Sequence, residues 1–252
     1  MTPFTDSRVG AVVGVTHCGN YLKNLFTRFR AIEDEWITNV VTLGKSGEMR
    51  LSSFNLLSGA NYALRRSAWE SVGKCHGTTP VEDSEMTVRL DANKWTIEAV
   101  DANVWQEGIE GPGAYLRQRR RWYRFSVGDL IGKTNRIDHI LALLPLTLQS
   151  STFVSFLFFL NTLISNPGPS LFSDGGSLER LLPFILGNVA MILGLVRVGK
   201  PRLIPYILPY FIVDGALQAY CYLEAKLSSA KPGWVQLAPG KHYHVGTPIR
   251  TD

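Results

Sequence analysis

The sequence predicts an α/β domain followed by α-helical transmembrane segments. Two observations support this prediction. Charged residues are frequent up to about residue 136, whereas they are scarce over residues 139–222, where long apolar runs dominate. Within the first part, β-rich runs alternate with apolar residues at helical spacing, as is typical of α/β domains. The predicted organisation is a cytosolic domain over residues 1–136, a membrane region over 137–225 and a tail over 226–252.

The first part of the chain alternates between strand and helix signals. Residues 9–15 form a β-rich apolar run that ends at a turn, which predicts a buried strand. Residues 20–43 carry apolar side chains at helical spacing, which predicts an amphipathic helix. The further predicted elements are a strand at residues 62–64, a helix near 67–72, a helix through residue 90, a strand pair over 95–100 and Val104, and a basic amphipathic interface helix over about 112–130.

Three apolar segments, at about residues 139–164, 181–198 and 203–223, predict membrane helices. Each is close to the ~20 residues that a helix needs to cross a bilayer. The loop over residues 166–179 contains no Lys or Arg, whereas the loops on the other side contain both. The positive-inside rule therefore predicts a multi-pass cell-membrane protein whose soluble first part faces the cytosol. Three crossings would place the Lys-bearing tail outside, so an interfacial or re-entrant segment stays an open alternative.

The net charge of +5 does not indicate a nucleic-acid partner. The basic cluster lies on a membrane flank and lacks the interleaved aromatic side chains on which bases stack. The cluster consists of Arg117, Arg119, Arg120, Arg121 and Arg124. We therefore expect the membrane, and no nucleic acid, as a partner.

Cysteine and histidine spacing predicts neither a disulfide framework nor a metal site. Cys18, Cys75 and Cys221 are odd in number, widely spaced and in no C-x-x-C pair. The five histidines show no metal-ligand spacing. Asp214 lies within the third apolar segment, where an ionisable residue either serves a substrate path or pairs with a polar neighbour.

The most specific motif is the pentapeptide Q-R-R-R-W at residues 118–122, on the helix that precedes the membrane segments. On a helix Gln118, Arg121 and Trp122 lie at i, i+3 and i+4 and share one face. A guanidinium binds phosphate oxygens, an indole offers a flat surface to a sugar ring, and an amide binds hydroxyl groups. The trio therefore suits a sugar bound to a diphosphate. The alternative is a basic helix beside the membrane with an interfacial tryptophan.

Glu82 and Asp83 form a second candidate site at a predicted helix start, downstream of Ser58 and Gly59. Sugar transfer needs a group that takes the proton from the attacking hydroxyl, and a carboxylate at the edge of a dry pocket can act as this general base. The alternative is an acidic pair that interacts with the helix dipole.

Together, S-G-A at residues 58–60, V-E-D-S-E-M-T-V-R-L at 81–90 and Q-R-R-R-W at 118–122 resemble the processive family 2 glycosyltransferases, the cellulose, hyaluronan and poly-N-acetylglucosamine synthases. The resemblance implies a partial GT-A domain that transfers a sugar, with inversion, from a nucleotide-diphosphate donor. It implies that Asp83 is the catalytic base, with Glu82 beside it, and Val81 replaces the threonine of the family's T-E-D motif. It also implies substrate contacts from Gln118, Arg121, Trp122, Ser58 and Gly59.

The chain departs from this family in one further respect, because it contains no D-x-D motif. In the family these aspartates hold the Mg²⁺ or Mn²⁺ ion that offsets the diphosphate charge. The nucleotide-binding half that carries them precedes the segment equivalent to residues 3–15, and the chain has no room for it. A separate chain that supplies this half, a truncated gene model or a decayed copy would each explain the pattern.

The predicted function is transfer of a hexose or N-acetylhexosamine from a nucleotide-diphosphate sugar to a growing polysaccharide. One alternative is a glycosyltransferase with a lipid acceptor. Another is a non-catalytic scaffold or pore component of such a synthase, which the absence of D-x-D favours. The sequence does not choose the sugar, the linkage or the acceptor.

Overall fold

A computed structural model of the chain describes residues 3–35, 57–75, 82–133, 153–158, 160, 161, 164, 165 and 175–227. The strands are β1 (Val9–Cys18), β2 (Tyr62–Leu64) and β3 (Thr96–Gln106). The helices are α1 (Leu25–Glu33), α2 (Arg66–Ser71), α3 (Glu82–Ala92), α4 (Pro112–Lys133), α5 (Gly175–Arg197) and α6 (Ile207–Leu227). Short 3₁₀ helices cover Pro3–Thr5 and Pro201–Tyr206. This arrangement confirms the predicted α/β class for the first part of the chain.

The described sheet has three strands in the order β2-β1-β3. Strand β1 is antiparallel to β2, with Val13 opposite Tyr62, and parallel to β3, with Cys18 opposite Gln106. β1 is buried along most of its length because neighbouring strands cover its edges and helices cover its faces. The strand continues three residues beyond the predicted end at Val15, through the polar Thr16 and His17.

Strand β3 corrects the prediction of a strand pair between residues 95 and 104. The segment is one continuous strand of 11 residues. The polar residues Asp101 and Asn103, which lie between the two predicted strands or at their edge, are exposed and do not interrupt the strand. The pairing of β3 with β1 instead shifts in register between Val13 and Val15 of β1, which accommodates the extra residues of β3.

Helix α1 begins at Leu25, five residues after the predicted start at Asn20. The Asn24 side chain accepts hydrogen bonds from the backbone N–H groups of Phe26 and Thr27, and Thr27 Oγ1 accepts from the Asn24 N–H. This reciprocal capping box fixes the first turn and explains the later start. The predicted remainder of this helix, over residues 36–43, lies outside the described residues.

Two apolar clusters hold the described elements together. The first packs the inner residues of the sheet against α2 and α3, and its members are Ala11, Val13, Leu57, Ala68, Val72, Met86, Leu90 and Ile97. The second joins α1 to the last two helices, and its buried members are Cys18, Phe29, Ala31, Ile32, Tyr115, Met191, Leu195, Leu203, Ile207, Tyr210 and Phe211. Residues of the predicted membrane region therefore pack directly against residues of the predicted cytosolic domain.

The three predicted membrane segments agree with the helices of the structure to different extents. Most of residues 139–164 lies outside the described part of the chain, and residues 181–198 coincide closely with α5. Residues 203–223 are divided between the 3₁₀ helix Pro201–Tyr206 and α6, because Pro201 and Pro205 favour the tighter turn. Across the described ranges, we find no helix with both the length and the apolar character needed to cross a membrane.

Candidate functional site

Two motifs that are separated in sequence meet at a single hydrogen bond. The backbone N–H of Gly59 donates to Asp83 Oδ2 at 2.8 Å, which joins the S-G-A turn to the start of α3. A Cβ on residue 59 would lie 3.0 Å from the same oxygen, so the turn approaches the carboxylate as closely as a glycine permits. The structure thus brings together Ser58, Gly59 and Asp83, as the sequence grouped them.

Asn61 fixes the turn to the sheet. Its backbone N–H donates to Ser58 O at 2.9 Å, which closes the turn. Its side-chain amide donates to Val15 O at 3.0 Å and to Ala102 O at 2.7 Å, so it bridges β1 and β3 where their register shifts. Asn61 is not among the site residues predicted from the sequence, although an asparagine directly after S-G-A is a recognisable turn signal.

The first turn of α3 orients the two candidate catalytic carboxylates differently. Asp83 is half-buried, whereas Glu82 is exposed. The Ser84 N–H donates to Asp83 Oδ1 at 2.7 Å, so each Asp83 oxygen accepts one backbone N–H. Thr87 Oγ1 donates to the Asp83 carbonyl at 2.8 Å and accepts from the Leu57 N–H at 3.0 Å, which ties the helix to the incoming chain. Asp83 is therefore the carboxylate with the more defined position.

Helix α4 carries the other predicted substrate-binding residues and contacts α3. Gln118 and Trp122 are half-buried, whereas Arg121 is exposed. Gln118 Oε1 is buried and accepts no hydrogen bond from the described residues. Helix α4, which contacts α3, therefore carries a buried amide oxygen, an exposed guanidinium and a half-buried indole. The roles of these residues stay predictions.

Arg119, in the centre of the Q-R-R-R-W motif, was read from the sequence only as part of a basic cluster. Its side chain is fully buried. Its two terminal nitrogens donate to Glu33 Oε1 and Oε2 at 2.5 and 2.6 Å, and its Nε lies 2.9 Å from Asp214 Oδ1. The hydroxyl of Tyr115 donates to the same Asp214 oxygen at 2.8 Å. Asp214 was predicted either to serve a substrate path or to pair with a polar neighbour, and the structure supports the pairing.

Two guanidinium groups lie close to the indole of Trp122. The Cζ atom of Arg119 lies 4.9 Å from the centre of its indole, and that of Arg30 lies 5.0 Å away. Arg30 is itself paired with Glu33 at 3.1 Å and with Asp34 at 2.7 Å. Both cations are therefore fixed by carboxylates at the end of α1.

Burial changes the ionisation of two groups in this cluster. Removal from water raises the pKa of the Asp34 carboxyl to about 7, although the adjacent Arg30 guanidinium opposes this change. Burial also raises the pKa of the Tyr115 hydroxyl well above its ordinary value, so this group stays a hydrogen-bond donor at neutral pH. The cluster therefore contains a fixed donor and one carboxyl that titrates near neutrality.

His17 lies near this region and is held by protein groups. The ring nitrogens of His17 lie 2.9 Å from Glu35 Oε1 and 2.7 Å from Asn103 Oδ1. Its ring stacks on Trp105 with 5.2 Å between ring centres. Within the described ranges, no group of three or more His, Cys, Asp and Glu side chains is arranged to hold a metal ion.

Comparison with known proteins identifies a family and several similar proteins. The sequence model described as Glycosyl transferase family group 2 matches residues 4–213. The probable glycosyltransferase YdaM of Bacillus subtilis (strain 168) is 29% identical over 168 residues, which cover 64% of this chain and 38% of YdaM. The beta-monoglucosyldiacylglycerol synthase of Trichormus variabilis is 32% identical over 124 residues, which cover 47% of this chain and 25% of that enzyme. The synthase of the same name from Nostoc sp. matches to the same extent.

Proposed function

The chain belongs to Glycosyl transferase family group 2, and from that premise we propose that it forms part of a membrane-associated, inverting glycosyltransferase. The donor is a nucleotide-diphosphate hexose or N-acetylhexosamine, and the acceptor is a growing polysaccharide. The observation that supports this proposal best is the hydrogen bond from the Gly59 N–H to Asp83 Oδ2, because it fixes a carboxylate beside a turn. The bond sets the orientation that a general base needs.

In the proposed reaction the acceptor hydroxyl gives its proton to Asp83. The acceptor oxygen forms a bond to the anomeric carbon of the donor sugar from the face opposite the diphosphate. The bond between that carbon and the diphosphate oxygen breaks, and its electron pair leaves with the nucleoside diphosphate. The configuration at the anomeric carbon is therefore inverted.

Helix α4 supplies groups suited to the substrates. The Arg121 guanidinium is exposed, and its positive charge suits the negative charge of the departing diphosphate. Gln118 Oε1, buried and without a hydrogen-bond partner among the described residues, suits a sugar hydroxyl donor. The part of the Trp122 indole that is accessible suits the apolar face of a sugar ring.

The family generally uses a divalent metal ion, which would need several side-chain ligands close together. No three potential ligands cluster within the described part of the chain. The Asp83 oxygens already accept from the N–H groups of Gly59 and Ser84. The described residues therefore do not fit a metal site on their own.

The nucleotide-binding half is proposed to come from sequence beyond this one, on the same or a separate chain. The chain spans 38% of YdaM and 25% of the cyanobacterial synthases, so most of each curated relative lies outside the compared region. The absence of D-x-D from this sequence is consistent with that division.

A lipid acceptor is the second candidate, and the cyanobacterial relatives favour it. Their name describes synthesis of a glucosylated diacylglycerol, which is a lipid product. The same general base and donor chemistry serve either acceptor, because only the molecule that carries the attacking hydroxyl differs.

Association with a membrane is proposed from the outer face of α5. Met191 and Leu195 face the core, while the opposite side carries exposed apolar residues at helical spacing. These residues are Leu182, Ile185, Leu186, Val189, Leu193 and Val196. A continuous apolar stripe of this kind suits the acyl region of a bilayer. We propose that this face lies against the cytosolic side of the cell membrane. In cell fractionation, the double variant Leu186→Glu with Leu193→Glu should then move from the membrane fraction to the soluble fraction.

Sugar transfer tests the proposal. Membranes that contain the chain, alone or with a chain bearing the D-x-D half, are supplied with radiolabelled UDP-glucose or UDP-N-acetylglucosamine. Asp83→Asn should lower the transfer rate by about 10²–10⁴-fold, the usual contribution of a general base. Glu85→Gln is the matched control because it removes a charge from the same first turn of α3, and it should retain transfer.

The products separate the candidate functions. Label in precipitated polymer supports the polysaccharide acceptor, and label in the organic extract supports the lipid acceptor. Absence of transfer by the wild type under both conditions, with all common donors, would favour the non-catalytic scaffold.

A further inference from the structure

We propose that Arg119 is a positioning residue for Trp122, and that Glu33 and Asp214 set the orientation of the Arg119 guanidinium. The proposal rests on the proposed function, in which Trp122 faces a sugar ring. It assigns a role to the part of the Q-R-R-R-W motif that points away from the substrate.

The Arg119 guanidinium has a rigidly defined environment. The side chain is fully buried, and a buried cation is tolerated only when it is paired and hydrogen-bonded. Glu33 meets its two terminal nitrogens in the planar, two-bond geometry that a guanidinium forms with a carboxylate, and Asp214 lies on the Nε edge. Rotation of the guanidinium plane would break these contacts together.

Asp214 connects this arrangement to α6. Its side chain is fully buried and accepts from the Tyr115 hydroxyl, which lies one helical turn before Arg119 on α4. Glu33 is the last residue of α1. The orientation of Arg119 therefore depends on α1, α4 and α6 at once.

Trp122 is the side chain on which this arrangement acts. Arg119 and Arg30 lie 4.9 and 5.0 Å from the centre of its indole, and both guanidinium groups bind Glu33. A cation attracts the face of an indole and thereby restricts its rotation. Because Trp122 is half-buried, the restriction decides which part of the ring stays accessible to a ligand.

Lysine is the informative replacement at position 119. It keeps the positive charge and helical propensity but lacks the planar fork that binds Glu33 through two nitrogens. The matched control is Arg120→Lys, because Arg120 is the next residue on the same helix, is exposed, and pairs with Glu224. The control changes the same residue type outside the buried cluster.

The first readout is the environment of Trp122, which does not depend on activity. The emission of Trp122 is obtained as the difference between each full-length variant and the same variant carrying Trp122→Phe. We expect Arg119→Lys to shift this emission to the red and to increase its quenching by acrylamide, whereas Arg120→Lys should match the wild type. Circular dichroism establishes that each variant is folded. If Arg119→Lys does not fold, Asp214→Asn replaces it as the test variant, because it keeps a polar group of the same size. We expect it to show the same red shift.

The second readout is the split between kcat and KM in the sugar-transfer assay. We expect Arg119→Lys to lower kcat about tenfold or more at an unchanged KM for the nucleotide sugar, since a small misplacement of a binding group lowers the rate strongly. Folded Arg119→Lys and Asp214→Asn proteins with wild-type Trp122 emission would overturn the proposal. A shifted emission in a chain that transfers no sugar, in the wild type or in any variant, would overturn the proposed function and leave the positioning of Trp122 supported.

Discussion

The backbone N–H of Gly59 and the Oδ2 atom of Asp83 lie 2.8 Å apart, although 24 residues separate them in the sequence. The contact aligns a turn at the end of the sheet with the first turn of α3. Since a hydrogen-bond donor on one oxygen restricts rotation of the carboxylate, the remaining lone pairs point in defined directions. A general base gains from such orientation because proton transfer depends on distance and angle.

Gly59→Ala should therefore lower activity more than stability. The new Cβ would lie 3.0 Å from Asp83 Oδ2, so the carboxylate must move by a few tenths of an ångström while the backbone N–H is kept. We expect kcat to fall by about tenfold, given that displacements near 1 Å cost about 100-fold. Sugar transfer and thermal unfolding of the same preparations measure the two effects. Gly111→Ala is the control, since its Cβ would meet no atom within 4 Å.

Gly14→Ala should destabilise the fold instead. A Cβ at this position would lie 2.4 Å from Ala102 O and 2.4 Å from Asn61 Nδ2, and the first of these is a backbone atom of β3 that has little room to move. Overpacking of this kind costs about 1–3 kcal/mol. Urea unfolding followed by tryptophan fluorescence measures the change. Gly19→Ala, whose nearest contact would be 3.7 Å, should unfold like the wild type, and equal midpoints for both variants would contradict the prediction.

The sequence predicts those features that depend on local patterns. The strand at Val9 follows from a β-rich apolar run, and α4 begins at the predicted Pro112 because proline suits the first turn of a helix. The grouping of Gly59 with Asp83 followed from a family resemblance, and local chemistry alone would not have joined them. Helix boundaries set by side-chain caps, such as Asn24, were missed because competing polar residues nearby offered similar signals.

The buried ion cluster shows what local patterns do not predict. A run of arginines beside an apolar segment is typical of an exposed basic helix, yet Arg119 is fully buried. Its environment depends on Glu33, 86 residues away, while Tyr115 reaches Asp214 across 99 residues. Helical spacing places Arg119 between Tyr115 and Trp122 on one face of α4, but the carboxylates that pair with it depend on how α1, α4 and α6 pack. The same limitation hides the environment of Trp122.

The Asp34 carboxyl should make the stability of the fold depend on pH. Burial raises its pKa from 3.8 to about 7, so between these values the folded chain holds a proton that the unfolded chain has released. The stabilising contribution of this proton is complete below about pH 4 and is lost as the pH rises through 7. The free energy of unfolding should therefore decrease with pH in this window, by at most about 1.4 kcal/mol per unit for one proton.

Asp34→Asn should reduce this slope, because an amide does not titrate. The comparison is the difference in unfolding free energy between the wild type and the variant, measured with urea at intervals from pH 5 to pH 8. Loss of the contact with Arg30, 2.7 Å from Asp34 Oδ1, lowers the absolute stability of the variant, so the slope is the informative quantity. Asp101→Asn, on the exposed part of β3, controls for removal of a carboxylate and should leave the slope unchanged. Parallel curves for the wild type and Asp34→Asn would mean that Asp34 is ionised throughout this range, with the paired Arg30 outweighing the effect of burial.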